Sequence, residues 1–243
     1  MKKSIYLAFV ILSFAIFACN KSKSDVILPA PTINTDRIKT HTINGYQTSY
    51  TYDNQGRLVE TFDSNSGTRK YIYETGKVIS KFYDTLNVLT SDREYLLSAN
   101  GKMIKETSGL NPGLNYSYTY DNQNNLLESN YINGAYSSSK KYFFSKGNAD
   151  SIRNYDKNGQ LVSTVINTFD LSKLNTISEE FMGLLFMPVL RKNILTKQEF
   201  IYANGTPTKV FTFEYEFDNK GRVIKMDTYS SGNFMSSDII TYK

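Results

Sequence analysis

The stretch Tyr50-Thr51-Tyr52-Asp53-Asn54-Gln55-Gly56-Arg57-Leu58-Val59-Glu60 decides the fold. On its first side Tyr50 and Tyr52 alternate with the small polar Thr51. Period-two alternation marks a half-buried strand, apolar on one face and wet on the other. The middle is turn chemistry: an Asp carboxylate accepts from the amides ahead of it, and Gly takes the positive φ that closes a type I turn with a bulge. Beyond the turn, aliphatic residues are expected to resume the alternation. Eleven residues therefore spell one corner of an antiparallel hairpin.

The same corner returns along the chain. Tyr118-Thr119-Tyr120-Asp121-Asn122-Gln123-Asn124-Asn125-Leu126 and Tyr215-Glu216-Phe217-Asp218-Asn219-Lys220-Gly221-Arg222-Val223 are close copies. Looser ones follow Tyr71-Ile72-Tyr73, Tyr95-Leu96-Leu97 and Tyr155. Asn124 stands where the others have Gly, and Asn is the next best tolerated residue at positive φ. From Tyr52 to Tyr73 is 21 residues and from Tyr120 to Phe144 is 24, an interval that suits a hairpin with its return strand and connector. Phe211, Phe213, Tyr215 and Phe217 oppose Thr212, Glu214 and Glu216 in the longest alternation. Reading Asp-Asn-x-Gly as calcium loops fails, because an EF-hand loop needs further carboxylates and a distal Glu. The expectation is an all-β protein: an antiparallel meander of repeated hairpins forming a strongly curved sheet or partly closed barrel, with residues 37–243 as a single domain.

One segment breaks the rhythm. Thr176 to Pro188 (Thr-Ile-Ser-Glu-Glu-Phe-Met-Gly-Leu-Leu-Phe-Met-Pro) has no two-residue alternation. Thr176 with Glu179 reads as a capping box, and Pro188 as a stop. This predicts a short apolar helix over 177–187, with Ile177, Phe181, Leu184 and Leu185 on one face. A helix apolar nearly all round must be buried, so it is placed inside the curl or across one end. A partner-binding or membrane-dipping element is the alternative.

The N-terminus reads as an address. Lys2 and Lys3 precede an uncharged run from Ile5 to Ala18, which as a helix would rise about 21 Å, short of a hydrocarbon core of about 30 Å. That fits a signal peptide over 1–18. Ile16-Phe17-Ala18-Cys19 contains the chain's single Cys. Residues 19–36, with Pro29 and Pro31, read as a flexible tether. Losing Lys2 and Lys3 lowers the formal charge from +5 to +3. The basic residues form no cluster longer than Arg69-Lys70, Lys140-Lys141 or Arg191-Lys192, so nucleic acid is set aside as a partner. One Cys excludes a disulfide framework.

Two resemblances follow from these residues. Ile16-Phe17-Ala18-Cys19 resembles the lipobox of bacterial lipoproteins, which implies diacylglycerol attachment at Cys19, cleavage before it and an acylated (palmitate-bearing) amine; an ordinary cleavage site is the alternative. Asn20 is not the Asp that resembles an inner-membrane retention signal, which implies outer-membrane anchoring at the cell surface or periplasmic face. The Tyr-x-Tyr-Asp-x-x-Gly-Arg-Leu units look like the YD repeats of RHS-type proteins. Together with the lipobox and the interruption from Phe169 to Asn175, they resemble the uncharacterised Bacteroidota lipoproteins described as having a porin-like fold, the DUF4595 type. That resemblance implies a curved antiparallel sheet or partly closed barrel and supplies no catalytic residues.

Little in the chain carries reaction chemistry. With one His and one Cys, neither a zinc site nor a His-based triad can be assembled, and His41 reads as a strand-surface residue. Carboxylate pairs suffice for glycoside hydrolysis, but Asp53, Asp121, Asp156 and Asp218 are taken by turns and no acid is marked for burial. No metal and no cofactor is expected. The 19 tyrosines remain. Tyr50, Tyr52, Tyr71, Tyr73, Tyr118 and Tyr120 are either core or the aromatic wall of a binding cleft. The expected function is a non-enzymatic envelope lipoprotein binding a glycan, a peptide or another envelope component. A carboxylate-dependent glycan-active enzyme and a structural subunit of an envelope assembly are the alternatives.

Overall fold

The repeated corners deliver hairpins in unbroken series. The computed structural model describes residues 36–204, 206 and 208–243. Its strands are β1 (Ile38–Ile43), β2 (Tyr46–Tyr52), β3 (Leu58–Asp63), β4 (Gly67–Glu74), β5 (Lys77–Tyr83), β6 (Leu89–Leu97), β7 (Met103–Thr107) and β8 (Leu114–Tyr120). They continue as β9 (Leu126–Asn133), β10 (Tyr136–Ser145), β11 (Asn148–Tyr155), β12 (Leu161–Leu174), β13 (Asn193–Tyr202), β14 (Lys209–Phe217), β15 (Val223–Ser230) and β16 (Asn233–Tyr242). Each strand pairs antiparallel with its sequence neighbours, and β1 pairs with β16, so the meander closes into a barrel. At the seam Ile38 faces Tyr242, and the Thr40 and Thr241 hydroxyls are 2.7 Å apart. The Lys243 amide donates to the Arg37 carbonyl at 3.0 Å. Full closure leaves no open sheet edge. The signal segment, Cys19 and the tether before Asp36 lie outside the described residues.

The corners form as their chemistry requires. Asp53 Oδ1 accepts the amides of Gln55 and Arg57, both at 2.9 Å, and the Gly56 amide donates to the Asp53 carbonyl at 3.1 Å. Asp121, Asp156 and Asp218 repeat the arrangement. Asn124 takes φ 63° where Gly221 takes 76°.

The aliphatic pair alternates after Tyr73, where Val78 and Ile79 face Tyr73 and Ile72, but not after five other corners. Tyr52 faces Leu58 while Thr51 faces Glu60, so Val59 is the extra residue of a β-bulge. Ile104, Leu127, Val162 and Ile224 occupy the same place in their hairpins. In four of these five hairpins the first residue of the pair turns inward: Leu58, Met103, Leu126 and Val223 are each at most 3% exposed, whereas Leu161, at the opposite rim, is 42% exposed. With Ile38, Val78 and Ala149 the four inward residues make a buried apolar ring around one rim. Tyrosine hydroxyls stitch this ring. Tyr52 donates to the Ile38 carbonyl (2.7 Å), Tyr73 to Leu58 (2.9 Å), Tyr120 to Met103 (2.6 Å) and Tyr242 to Val223 (2.8 Å). Each such bond contributes about 0.5–1.5 kcal/mol net.

The predicted helix over 177–187 is not formed; that segment runs through turns. Its carbonyls are used elsewhere. Gly183 accepts the Leu58 amide at 3.3 Å, Phe186 the Met103 amide at 3.0 Å, and Leu190 the Ala149 amide at 2.8 Å. Thr176, expected as a helix cap, accepts the Val223 amide on its hydroxyl at 2.9 Å. Four strand beginnings thus find partners in this segment, and two of these, the Gly183 carbonyl and the Thr176 hydroxyl, are groups that a helix over 177–187 would have kept for itself. The expected burial does hold. Leu184 and Phe186 pack on Leu58, Val78, Tyr95 and Met103, while Ile177 and Met182 pack against Ile38, Ile194, Val223 and Ile240. Residues 175–192 therefore lie across the ringed rim and seal it.

Candidate functional site

Directly paired residues on neighbouring strands share a face. Val78, which packs on the sealing segment, faces Tyr95; Tyr95 faces Glu106, Glu106 faces Tyr116, and Tyr116 faces Tyr131. These side chains point into the barrel. Alternation along the strands adds Tyr118 and Tyr120, Arg69, Tyr71 and Tyr73, and Tyr50 and Tyr52. All six tyrosines expected to line a cleft are on this inner wall, in two groups. Tyr52, Tyr73 and Tyr120 stand at the sealed rim with their hydroxyls bound to carbonyls. Tyr50, Tyr71 and Tyr118 stand further along the lumen. Tyr50 and Tyr71 make no hydroxyl hydrogen bond among the described residues. Burial raises both, Tyr50 to about 12 with help from Tyr71.

The opposite rim ends in tight turns around Asn44, Gly134 and Ser231, and no described segment crosses it. Tyr46, Tyr136 and Phe234 stand there, 61%, 60% and 59% exposed. A sixteen-stranded circumference is wide enough to leave an aqueous lumen. The outer wall carries ion pairs, among them Lys77 with Glu94 (3.1 Å) and Lys225 with Glu216 (3.1 Å) and Asp227 (2.9 Å). A lipid-facing barrel needs an apolar band there instead.

The lumen also holds charges. Arg93 Nε pairs with Glu106 Oε1 at 2.9 Å, and the Tyr118 hydroxyl donates to Glu106 Oε2 at 3.0 Å. Burial raises the Glu106 carboxyl, and the contacts from Tyr118 and Arg93 only partly offset it; no neighbouring carboxylate contributes. Arg69 Nη1 donates to the buried Ser80 hydroxyl at 3.0 Å, and its guanidinium lies 5.1 Å from the Phe82 ring centre. Arg69 makes no ion pair among the described residues. His41, read as a strand-surface residue, instead faces the buried Ile240 across the seam and meets Asp238 at 3.1 Å, with 17% of its side chain exposed. Its imidazole is the partner that lets the Asp238 carboxylate sit inside the wall.

Glu106 was invisible to the sequence because of the bulge. Counting by twos from the inward Met103 puts Glu106 outside, and the extra residue Ile104 turns it back in. Arg69 had a signal: it sits two residues before Tyr71, on the tyrosine face.

The inner wall carries a file of rings. Tyr118 and Tyr116 stack at 6.3 Å and 16°, Tyr116 meets Tyr131 at 4.8 Å, and Tyr131 meets Tyr136 at 5.7 Å. The file runs from Glu106 to the open rim. Among the described residues no group of three or more His, Cys, Asp and Glu side chains could hold a metal ion.

No family model and no curated protein matches the chain. Solved structures do. A porin-like protein from Bacteroides vulgatus matches with a TM-score of 0.61 and 12% identity, over 85% of this chain and 99% of that one. A porin-like protein from Bacteroides uniformis matches with a TM-score of 0.55 and 13% identity, over 85% and 98%. At these identities the likeness is one of architecture, and the closed antiparallel meander described above is a porin-like fold shared with proteins from Bacteroides.

Proposed function

We propose that this protein is a non-enzymatic envelope lipoprotein that binds a glycan, a peptide or another envelope component inside its barrel. One observation carries the reading: a lumen lined by tyrosines, sealed at one end by residues 175–192 and open at the other among the described residues. Rigid amphipathic rings in a concave, partly desolvated space offer stacking area and hydroxyls to orient a ligand. Tyr50, Tyr71 and Tyr118 are the contact residues in this reading, with Tyr52, Tyr73 and Tyr120 as the scaffold beneath them. The lipobox-like Cys19 would anchor the chain at the outer membrane, on the cell surface or the periplasmic face, and the charged outer wall suits a barrel standing in water.

The full chain in detergent, applied to a glycan array and to solubilised envelope, is expected to retain a defined set of ligands. The Tyr50→Ala, Tyr71→Ala double variant is expected to lose them. Retention equal in both proteins, or none in either, would refute the reading. The enzyme alternative has one observation in its favour, the raised Glu106 carboxyl. Its neighbours Arg93 and Tyr118 both favour the anion, however, whereas a general acid needs its proton held.

A further inference from the structure

Building on the lumen-binding reading, we infer that the ligand is an acidic oligosaccharide that enters along the Tyr136–Tyr131–Tyr116–Tyr118 file and places a carboxylate on Arg69. The band is continuous in the structure. Beyond Tyr118 comes Glu106, then Arg93 in contact with it, then Ser80 as the cross-strand partner of Arg93, then Arg69 bonded to Ser80. All stand on inward faces of neighbouring strands from β4 to β10.

Each part has a chemical meaning. A file of rings from an exposed Tyr136 to a half-buried Tyr118 offers successive flat, amphipathic surfaces, spaced 4.8 to 6.3 Å from centre to centre. A chain of sugar rings presents C–H faces to such surfaces and hydroxyls to the tyrosine oxygens. A peptide would be expected to find backbone donors and acceptors along its path, and here the wall's backbone groups are spent in the ladder. The two arginines differ in state. Arg93 is neutralised by Glu106, whereas Arg69 uses one donor on a neutral hydroxyl and stacks on Phe82. A guanidinium in a partly desolvated lumen without a carboxylate is an incomplete pair, and its planar fork fits a carboxylate in two parallel hydrogen bonds. Ser80 and Phe82 hold the fork in place before any ligand arrives.

The test uses the full chain in detergent and isothermal titration with two probes, oligogalacturonate and its methyl ester, which differ in charge and share their rings. The acid is expected to bind and the ester to bind about tenfold or more weakly, as for loss of a charge-assisted bidentate contact. Arg69→Gln is expected to erase that difference, and Tyr136→Ala, at an exposed rim position that the fold does not need, to weaken both probes. Acid and ester binding alike would overturn the role of Arg69, and binding untouched by Tyr136→Ala would overturn the path. If neither probe binds while the array retains neutral ligands, the acidic-sugar inference falls and the lumen reading stands. If the array also retains nothing, both fall.

Discussion

A single dihedral angle governs the fourth place of each corner. Gly221 has φ 76°, and a Cβ built there meets nothing within 4 Å, so a substitution is penalised by backbone conformation alone. Gly221→Val is expected to lower stability by about 1–3 kcal/mol. Gly221→Asn should cost clearly less, since Asn124 already holds φ 63° in the matching corner. Urea unfolding of the two variants checks this; equal losses would show that the left-handed backbone is not the cause. Corners such as this were legible in the sequence because their hydrogen bonds run between residues two to four apart. Glu106 was not legible, because its facing depends on a bulge defined by a second strand.

The segment over 175–192 shows the same limit among elements. Its capping box and apolar run describe a good local helix, and its burial was foreseen. What the local pattern could not contain is the demand from the strand beginnings at Leu58, Met103, Ala149 and Val223, whose amides need acceptors. Gly183, at φ 77°, is where the helical path is abandoned. A Cβ there would come within 2.8 Å of the Leu58 nitrogen and 2.9 Å of the Gly56 carbonyl oxygen. Gly183→Ala is therefore expected to lift the seal. Hydrogen exchange should quicken at the Leu58 and Met103 amides while β14 keeps its protection. Unchanged exchange at Leu58 would show that the seal does not depend on this approach.

Across the molecule, closure was the least legible property, since every hairpin reads the same in an open curved sheet and in a barrel. The β1–β16 seam joins residues some 200 positions apart, Thr40 with Thr241 among them, and no local signal announces it. Acid should act on the whole circumference at once. Asn125 holds the Asp121 carboxyl below its ordinary 3.8, and the Ser66 amide does the same for Asp63. At Asp218 burial pushes upward, but the amide and side chain of Arg222 outweigh it. These depressed carboxyls contribute stability that is complete above 3.8 and lost as pH falls through their folded values. Glu106 has the opposite sign: its raised carboxyl penalises the fold as pH climbs past 4.5. Melting temperature is expected to drop steeply below pH 3.8 and to slope gently downward above 4.5, with Asp121→Asn flattening the acid limb. A profile flat down to pH 2.5 would contradict it.

Arg37 and Lys243 stand side by side at the sealed rim, so the chain arrives through the floor of a cup. Whatever grips the protein by the residues ahead of Asp36 is attached on the side away from the mouth. A ligand drifting in the surrounding medium then reaches the tyrosines without first having to pass the support.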